Sequence, residues 1–247
     1  MHKTQPPSGQ YRQIELDISS RLYYHPEKFV EHSGVAPIRK SLLHLLGQEH
    51  YPVVSIVGTK RSGKTHLFHF LAHGLKEASH RFTPSLAVES FQGKEFLRMI
   101  YEGRFPSSNT EKRCILIDDA DEMLLQFSRG NSGPLVKCVE DLRVLGGIIV
   151  FFRNATVHDY GFDDHLLTRF AAGTEFVLGD PDRSELTTLL QALSEQRGWR
   201  FNNRMVAFLE KRLRIRVRDI ESYLERVQLL SRLRSDKVNF TLLGDAL

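Results

Sequence analysis

The sequence predicts an α/β protein: a doubly wound sheet of five parallel strands followed by a small C-terminal helical lid. Three observations predict it. Five short apolar runs recur between residues 53 and 178, stretches with helical spacing separate them, and no strand candidate remains after Gly179-Asp180-Pro181.

The elements follow in order. Residues 1–22 are polar and include Pro6 and Pro7, which predicts a flexible tail with order beginning near Tyr23. Pro37–Leu46 carries Ile38, Leu42, Leu45 and Leu46 at helical spacing and stops at Gly47. Strands are read at Val53–Val57, Leu86–Val88, Cys114–Ile117, Gly147–Phe152 and Phe176–Leu178. These runs are apolar throughout rather than alternating, the pattern of parallel strands covered on both faces. Helices are read between them at Thr65–Ala78, Lys94–Tyr101, Pro134–Leu145 and Asp164–Phe170. Beyond a boundary near Asp180, Arg183–Arg197, Asn203–Leu213 and Arg218–Leu233 read as helices. The last carries Ile220, Tyr223, Leu224, Val227 and Leu230 on one stripe. The expected division is a tail (1–22), a sheet-bearing core (23–180) and a lid (181–247).

Composition narrows the class. With 41% hydrophobic and 26% charged residues, the chain has the balance of a water-soluble globular protein rather than a disordered one. The longest apolar run, Ile148–Phe152, is far too short to span a bilayer, and the first ten residues are polar; a cytoplasmic protein without membrane contact is expected. Cys114 and Cys138 form no C-x-x-C pair, which excludes a zinc site built on thiolates. The net charge of +4 allows contact with DNA or an acidic partner without demanding it. The basic excess gathers at Arg197, Arg200, Arg204, Lys211, Arg212, Arg214, Arg216 and Arg218, for which a solvated helix face is an equally good reading.

The chemistry lies in Gly58-Thr59-Lys60-Arg61-Ser62-Gly63-Lys64-Thr65, which follows a strand and opens a helix. That is the context a P-loop requires. Gly58 and Gly63 let the backbone turn its N–H groups toward phosphates, and the helix N-terminus adds a favourable dipole. Lys64 supplies a point charge to the outer phosphates, and the Thr65 hydroxyl is a magnesium ligand. The expected ligand is ATP or ADP with Mg²⁺. Ile115-Leu116-Ile117-Asp118-Asp119 is the second half of the site: an apolar strand ending in two acids sets Asp118 near the metal and Asp119 beside the attacking water. His66, His69 and His73 share a helix face, but no carboxylate or thiolate nearby completes a metal site, so packing or surface placement is the expectation for them.

From about Tyr23 onward the chain resembles the AAA+ module of the DnaA replication initiator family, and several separate segments carry the likeness. Tyr24-His25-Pro26-Glu27-Lys28-Phe29-Val30 resembles the segment that enters the family's nucleotide pocket. Gly63-Lys64-Thr65-His66-Leu67 resembles its Walker A ending, which adds His66 to the expected nucleotide contacts, and Leu116-Ile117-Asp118-Asp119 its Walker B. Leu167-Thr168-Arg169-Phe170 resembles the box holding the arginine finger. Lys211 through Glu221 resembles the lid segment whose sensor 2 arginine is here Arg218. The family places a small polar residue at the end of the fourth strand as sensor 1. This chain reads Val150-Phe151-Phe152-Arg153-Asn154, a departure that makes Asn154 the candidate and implies binding more firmly than intrinsic hydrolysis.

The initiator's helicase-contacting and helix-turn-helix domains have no counterpart in these 247 residues. What remains resembles the short regulatory Hda-type branch, which switches DnaA off by promoting hydrolysis of its ATP. The resemblance implies DnaA as partner, with Arg169 acting in trans; the alternative for Arg169 is an ion pair with Asp163 or Asp164. It also implies a sliding-clamp motif, for which Gln13-Ile14-Glu15-Leu16-Asp17-Ile18 has the form. A competing reading is a helicase loader or DNA-remodelling ATPase working as a homo-oligomer, with Phe91, Lys94 and Phe96 lining a channel, although helix packing explains those three residues equally well.

Overall fold

A computed structural model of the chain describes residues 26–46, 51–82, 86–104, 112–128 and 130–247. The tail, its Gln13–Ile18 motif and residues 23–25 lie outside the described residues.

The apolar runs form one parallel sheet in the order β2-β3-β4-β1-β5. Its strands are β1 (Val53–Val57), β2 (Leu86–Gln92), β3 (Lys112–Asp118), β4 (Ile148–Arg153) and β5 (Thr174–Val177). β1 lies between β4 and β5, with Val57 opposite both Arg153 and Val177. The uninterrupted apolar character of the central strands has the expected cause, because successive residues feed two separate cores. Val54, Ile56, Leu116, Val150 and Phe152 face helices α1 (Ala36–Leu46) and α2 (Lys64–Phe82). Val53, Ile115, Ile117, Ile149 and Phe151 face α3 (Gly93–Tyr101), α4 (Ala120–Leu125), α5 (Gly133–Val144) and α6 (Asp164–Ala171).

After β5 the chain is helical: α7 (Leu186–Glu195), α8 (Asn203–Glu210), α9 (Val217–Arg234) and α10 (Phe240–Asp245). These four bury a third cluster of their own, in which Leu190, Leu209, Ile220, Tyr223, Leu224 and Leu243 are fully enclosed. The Tyr223 hydroxyl donates to the Leu243 carbonyl and ties α9 to α10. Among the described residues no helix is long and apolar enough to cross a membrane.

Several bounds differ from those read in the sequence. β2 continues through Glu89, Ser90 and Gln92, polar residues that an edge strand tolerates, since it pairs with β3 alone. β5 begins earlier, at Thr174. α4 was missed because six residues containing Asp121 and Glu122 give no readable apolar period. α10 was missed for its length; it is capped by the Asn239 side chain, which accepts from the Leu242 N–H.

Candidate nucleotide site

The loop between β1 and α2 sits at the carboxyl end of the sheet, where open α/β sheets place their ligands. Its glycines are required by geometry. A Cβ on Gly58 would lie 2.5 Å from the Ser62 hydroxyl, and Gly63 has φ +93°. Gly58 N–H donates to the Arg153 carbonyl at 3.2 Å, which anchors the loop to the end of β4.

Lys64 is nearly enclosed and uses all three of its donors. Nζ bonds the Gly58 carbonyl at 2.7 Å, the Thr59 carbonyl at 2.8 Å and Asn154 Oδ1 at 2.6 Å. Burial pushes its pKa down, against the pull of Asp121, Asp118 and Asp119. The sequence candidate Asn154 is thus in direct contact with the P-loop lysine.

Asp118 ends β3 and is 1% exposed, and neither of its carboxylate oxygens has a hydrogen-bond partner among the described residues. Burial raises its pKa, and the nearby Thr65 hydroxyl pulls it back without reaching full hydrogen-bond geometry. A buried carboxylate left unpaired is costly, at roughly 1–3 kcal/mol or more. Paired with a hydroxyl, it is the oxygen donor set that suits a magnesium ion. Asp119, next along, is exposed with φ 48° and ψ 46°, a left-handed conformation that Asp tolerates. It lines the cleft, and Gly93 packs so closely beneath it that a Cβ there would meet the Asp119 carbonyl at 2.5 Å.

These residues open onto a cleft of about 850 Å³ walled by both halves of the chain. It is lined by Phe29, Val30, His32 and Val35 from the residues before α1, by Leu189, Leu193, Gln196 and Val217 from the helical part, and by Lys60 through His66 from the P-loop and the start of α2. Phe29 stacks on Phe70 of α2, with ring centroids 4.4 Å apart. His66 is half-buried beside Gln196 and Arg197, and desolvation holds its pKa at about 4, so its imidazole is neutral near pH 7. His69 is shifted down for the same reason, whereas His73 is exposed and 4.0 Å from Glu77. Among the described residues there is no group of three or more His, Cys, Asp or Glu that could hold a metal ion.

Three sequence candidates stand elsewhere. Arg218, the second residue of α9, is half exposed with Asp219 at 3.7 Å; Val217, Glu221 and Glu225 of the same helix line the cleft instead. Arg169 pairs with Glu140 at 2.9 Å and donates to the His165 carbonyl. The partners Asp163 and Asp164 weighed for it are not its partners, because Asp163 is committed to capping α6 through the Leu166 N–H. Phe96 is fully buried, with Phe91 against it, which removes it from any channel lining; Lys94 pairs with Glu122.

Two contacts escaped the sequence reading. P-loop Arg61, with φ 67°, reaches across to α9 and bonds Ser222 at 3.3 Å and Glu225 at 2.9 Å. Asp121, the third acid of Asp118-Asp119-Ala120-Asp121, accepts from Asn154, Ala155 and Tyr160. An acid in the first turn of a short helix after the strand is its only sequence signal.

No protein-family model matches the chain. It is 23% identical over 208 residues to the chromosomal replication initiator protein DnaA of Herminiimonas arsenicoxydans, covering 80% of this chain and 43% of that protein. The chain therefore spans less than half the length of that relative. Its fold is similar to domain III of the Thermotoga maritima replication initiation protein DnaA, with a TM-score of 0.67 and 19% identity over 91% of this chain and 95% of that one. It is also similar to AMPPCP-bound DnaA from Aquifex aeolicus, with a TM-score of 0.58 and 19% identity over 83% of this chain and 65% of that one.

Proposed function

We propose that this chain, a DnaA-like AAA+ domain by sequence similarity and by fold, binds ATP or ADP and regulates the initiation of chromosomal replication in the cytoplasm. In this reading it promotes hydrolysis of DnaA-bound ATP, acting together with the sliding clamp through Gln13–Ile18. The observation that carries the nucleotide part is the buried, unpaired Asp118 carboxylate beside Thr65 at the mouth of the P-loop. Residues 23–180 are the nucleotide-binding core and 181–247 the lid.

The roles follow from position. The Gly58–Thr65 backbone holds the phosphates, and Lys64 exchanges its internal partners for phosphate oxygens. Thr65 and Asp118 hold the magnesium ion, which when bound neutralises phosphate charge. Asp119 orients the water, Asn154 contacts the outermost phosphate, and Arg218 moves onto the phosphates as the lid closes. Phe29, Val30 and Val35 enclose the base opposite Leu189 and Leu193.

Arg169 serves a different site. It lies beside Glu140, whose field also reaches Tyr51, two residues before β1 begins. The P-loop leaves the other end of that five-residue strand, about 16 Å away at 3.3 Å per residue. Arg169 therefore serves a neighbour's γ-phosphate rather than its own. There an arginine contributes about 10³–10⁵ in rate, and its planar guanidinium suits the task where lysine would not. The pair with Glu140 is partly exposed and holds it by only about 1 kcal/mol or less.

The test is hydrolysis of ATP preloaded on DnaA, measured with clamp and with either wild-type chain or Arg169→Ala. The expected result is stimulation by wild type, and binding without stimulation by the variant. Equal stimulation by both would remove Arg169 from the mechanism.

A further inference from the structure

Asp121 is the most heavily bonded carboxylate at the site, and none of the roles above uses it. The Asn154 N–H donates to it at 2.9 Å, the Asn154 side-chain amide at 2.6 Å, the Ala155 N–H at 3.1 Å and the Tyr160 hydroxyl at 2.5 Å. Tyr160 is itself 2% exposed, on the short 3-10 turn Val157–Tyr160, so this donor is fixed by the core.

An ionised carboxylate can only accept. Facing Asp121, Asn154 must present its NH₂ group, and its oxygen is left pointing the other way, where it receives Lys64 Nζ at 2.6 Å. An amide rotated by half a turn would set an NH₂ against the lysine ammonium and an oxygen against the carboxylate, and both contacts would be repulsive. We infer that Asp121 is a positioning residue: by fixing the amide orientation of Asn154, it determines whether the P-loop lysine is held in its internal cradle. The inference deepens the nucleotide-site reading and rests on Lys64 being its phosphate-binding lysine. Asp121 thus sets how firmly Lys64 is held on Asn154.

The chain of contacts predicts a specific pattern of coupling. In Asp121→Asn, the new amide both donates and accepts, so it no longer selects one orientation of Asn154. Lys64 then loses a charge-assisted bond, worth about a tenfold rise in the population of freed lysine. Asn154→Ala removes the same bond directly. Asp121 also pulls on the Lys64 charge directly, and Asp121→Asn removes that pull with or without Asn154. The part carried by Asn154 is the amount by which the double variant falls short of the two single effects combined.

The experiment is brief amine acylation of the full chain at one fixed pH, read at each lysine by mass spectrometry, with and without Mg-ADP. Lys112, held on the Leu46 carbonyl at the opposite end of the sheet, reports general loosening. Without nucleotide, Lys64 labelling rises about tenfold in Asp121→Asn and in Asn154→Ala, by clearly less than the product of the two in the double variant, and Lys112 is unchanged. Unchanged Lys64 labelling in Asp121→Asn, an additive double variant, or a parallel rise at Lys112 overturns the inference. Tyr160→Phe is the second variant, for use if Asp121→Asn does not fold. It loosens Asp121 while keeping its charge, and must raise Lys64 labelling in wild type but not in Asn154→Ala; a rise in neither, or in both, overturns the inference equally. Protection of Lys64 by Mg-ADP is the separate arm: its failure refutes the nucleotide reading, while the labelling without nucleotide still decides the role of Asp121.

Discussion

Removing the carboxylate of Glu175 should destabilise the chain out of proportion to that residue's exposed position. Arg153 ends β4 directly before Asn154 and is 0% exposed, a rare setting for a guanidinium. It donates to Glu175 on β5 and to the Ala155 carbonyl, and its Nε has no partner among the described residues. Truncating one member of a buried pair costs about 3–5 kcal/mol, because the other charge is stranded. Here the Glu175 side chain is 51% exposed, so water can reach one side of the pair, and the estimate falls to about 2–3 kcal/mol. For a chain of 247 residues each kcal/mol moves Tm by about 2–4 °C, so Glu175→Ala should lower Tm by about 4–12 °C. Glu175→Gln keeps an acceptor and should lose about half as much. Because the Arg153 carbonyl receives the Gly58 N–H, nucleotide affinity should fall along with Tm. Thermal unfolding with and without Mg-ADP measures both. A Tm within about 1 °C of wild type in Glu175→Ala would refute the view that Arg153 depends on this partner.

Other expectations are smaller. Arg61→Ala breaks the clasp between P-loop and α9, an exposed pair of about 0.2–1 kcal/mol, so stopped-flow release of a fluorescent ADP analogue should quicken by up to about fivefold. A release rate slowed by the change would contradict the clasp. His32 has its pKa lowered by burial, and its Nδ1 accepts the Gly34 N–H at 3.2 Å. The unfolded chain therefore binds the proton first as pH falls, so this stability is complete above about pH 6.5 and is lost below it. Urea titrations at several pH values should show a flatter acid limb in His32→Asn, and an unchanged slope would clear His32 of the effect. Phe96→Ala should cost about 3–5 kcal/mol, as befits a core residue rather than a channel contact.

The sheet was legible because burial on both faces leaves unbroken apolar runs, and the P-loop because its spacing admits few residue types. Val53–Val57 was read to the residue for the first reason, and Gly58 and Gly63 for the second. Edge strands and short helices were less legible, since β2 and α4 carry Glu89 or Asp121 where an apolar pattern would be needed. At the site, Asp118 and Asn154 could be named from sequence, but their link through Asp121 could not. It joins the start of α4 to the end of β4 across 33 residues, and nothing local announces it. The partner of Arg169, Glu140, comes from α5, a contact that helix packing sets and spacing does not.

The central claim is that the Gly58–Thr65 loop holds a nucleotide through Lys64. Calorimetric titration of Mg-ADP and of a non-hydrolysable ATP analogue into wild-type chain and Lys64→Ala tests it most directly, with Tm as the check on folding. Saturable binding by wild type and none detectable by a folded Lys64→Ala is the predicted result. Equal affinity in the two proteins, or no binding by wild type, would contradict it.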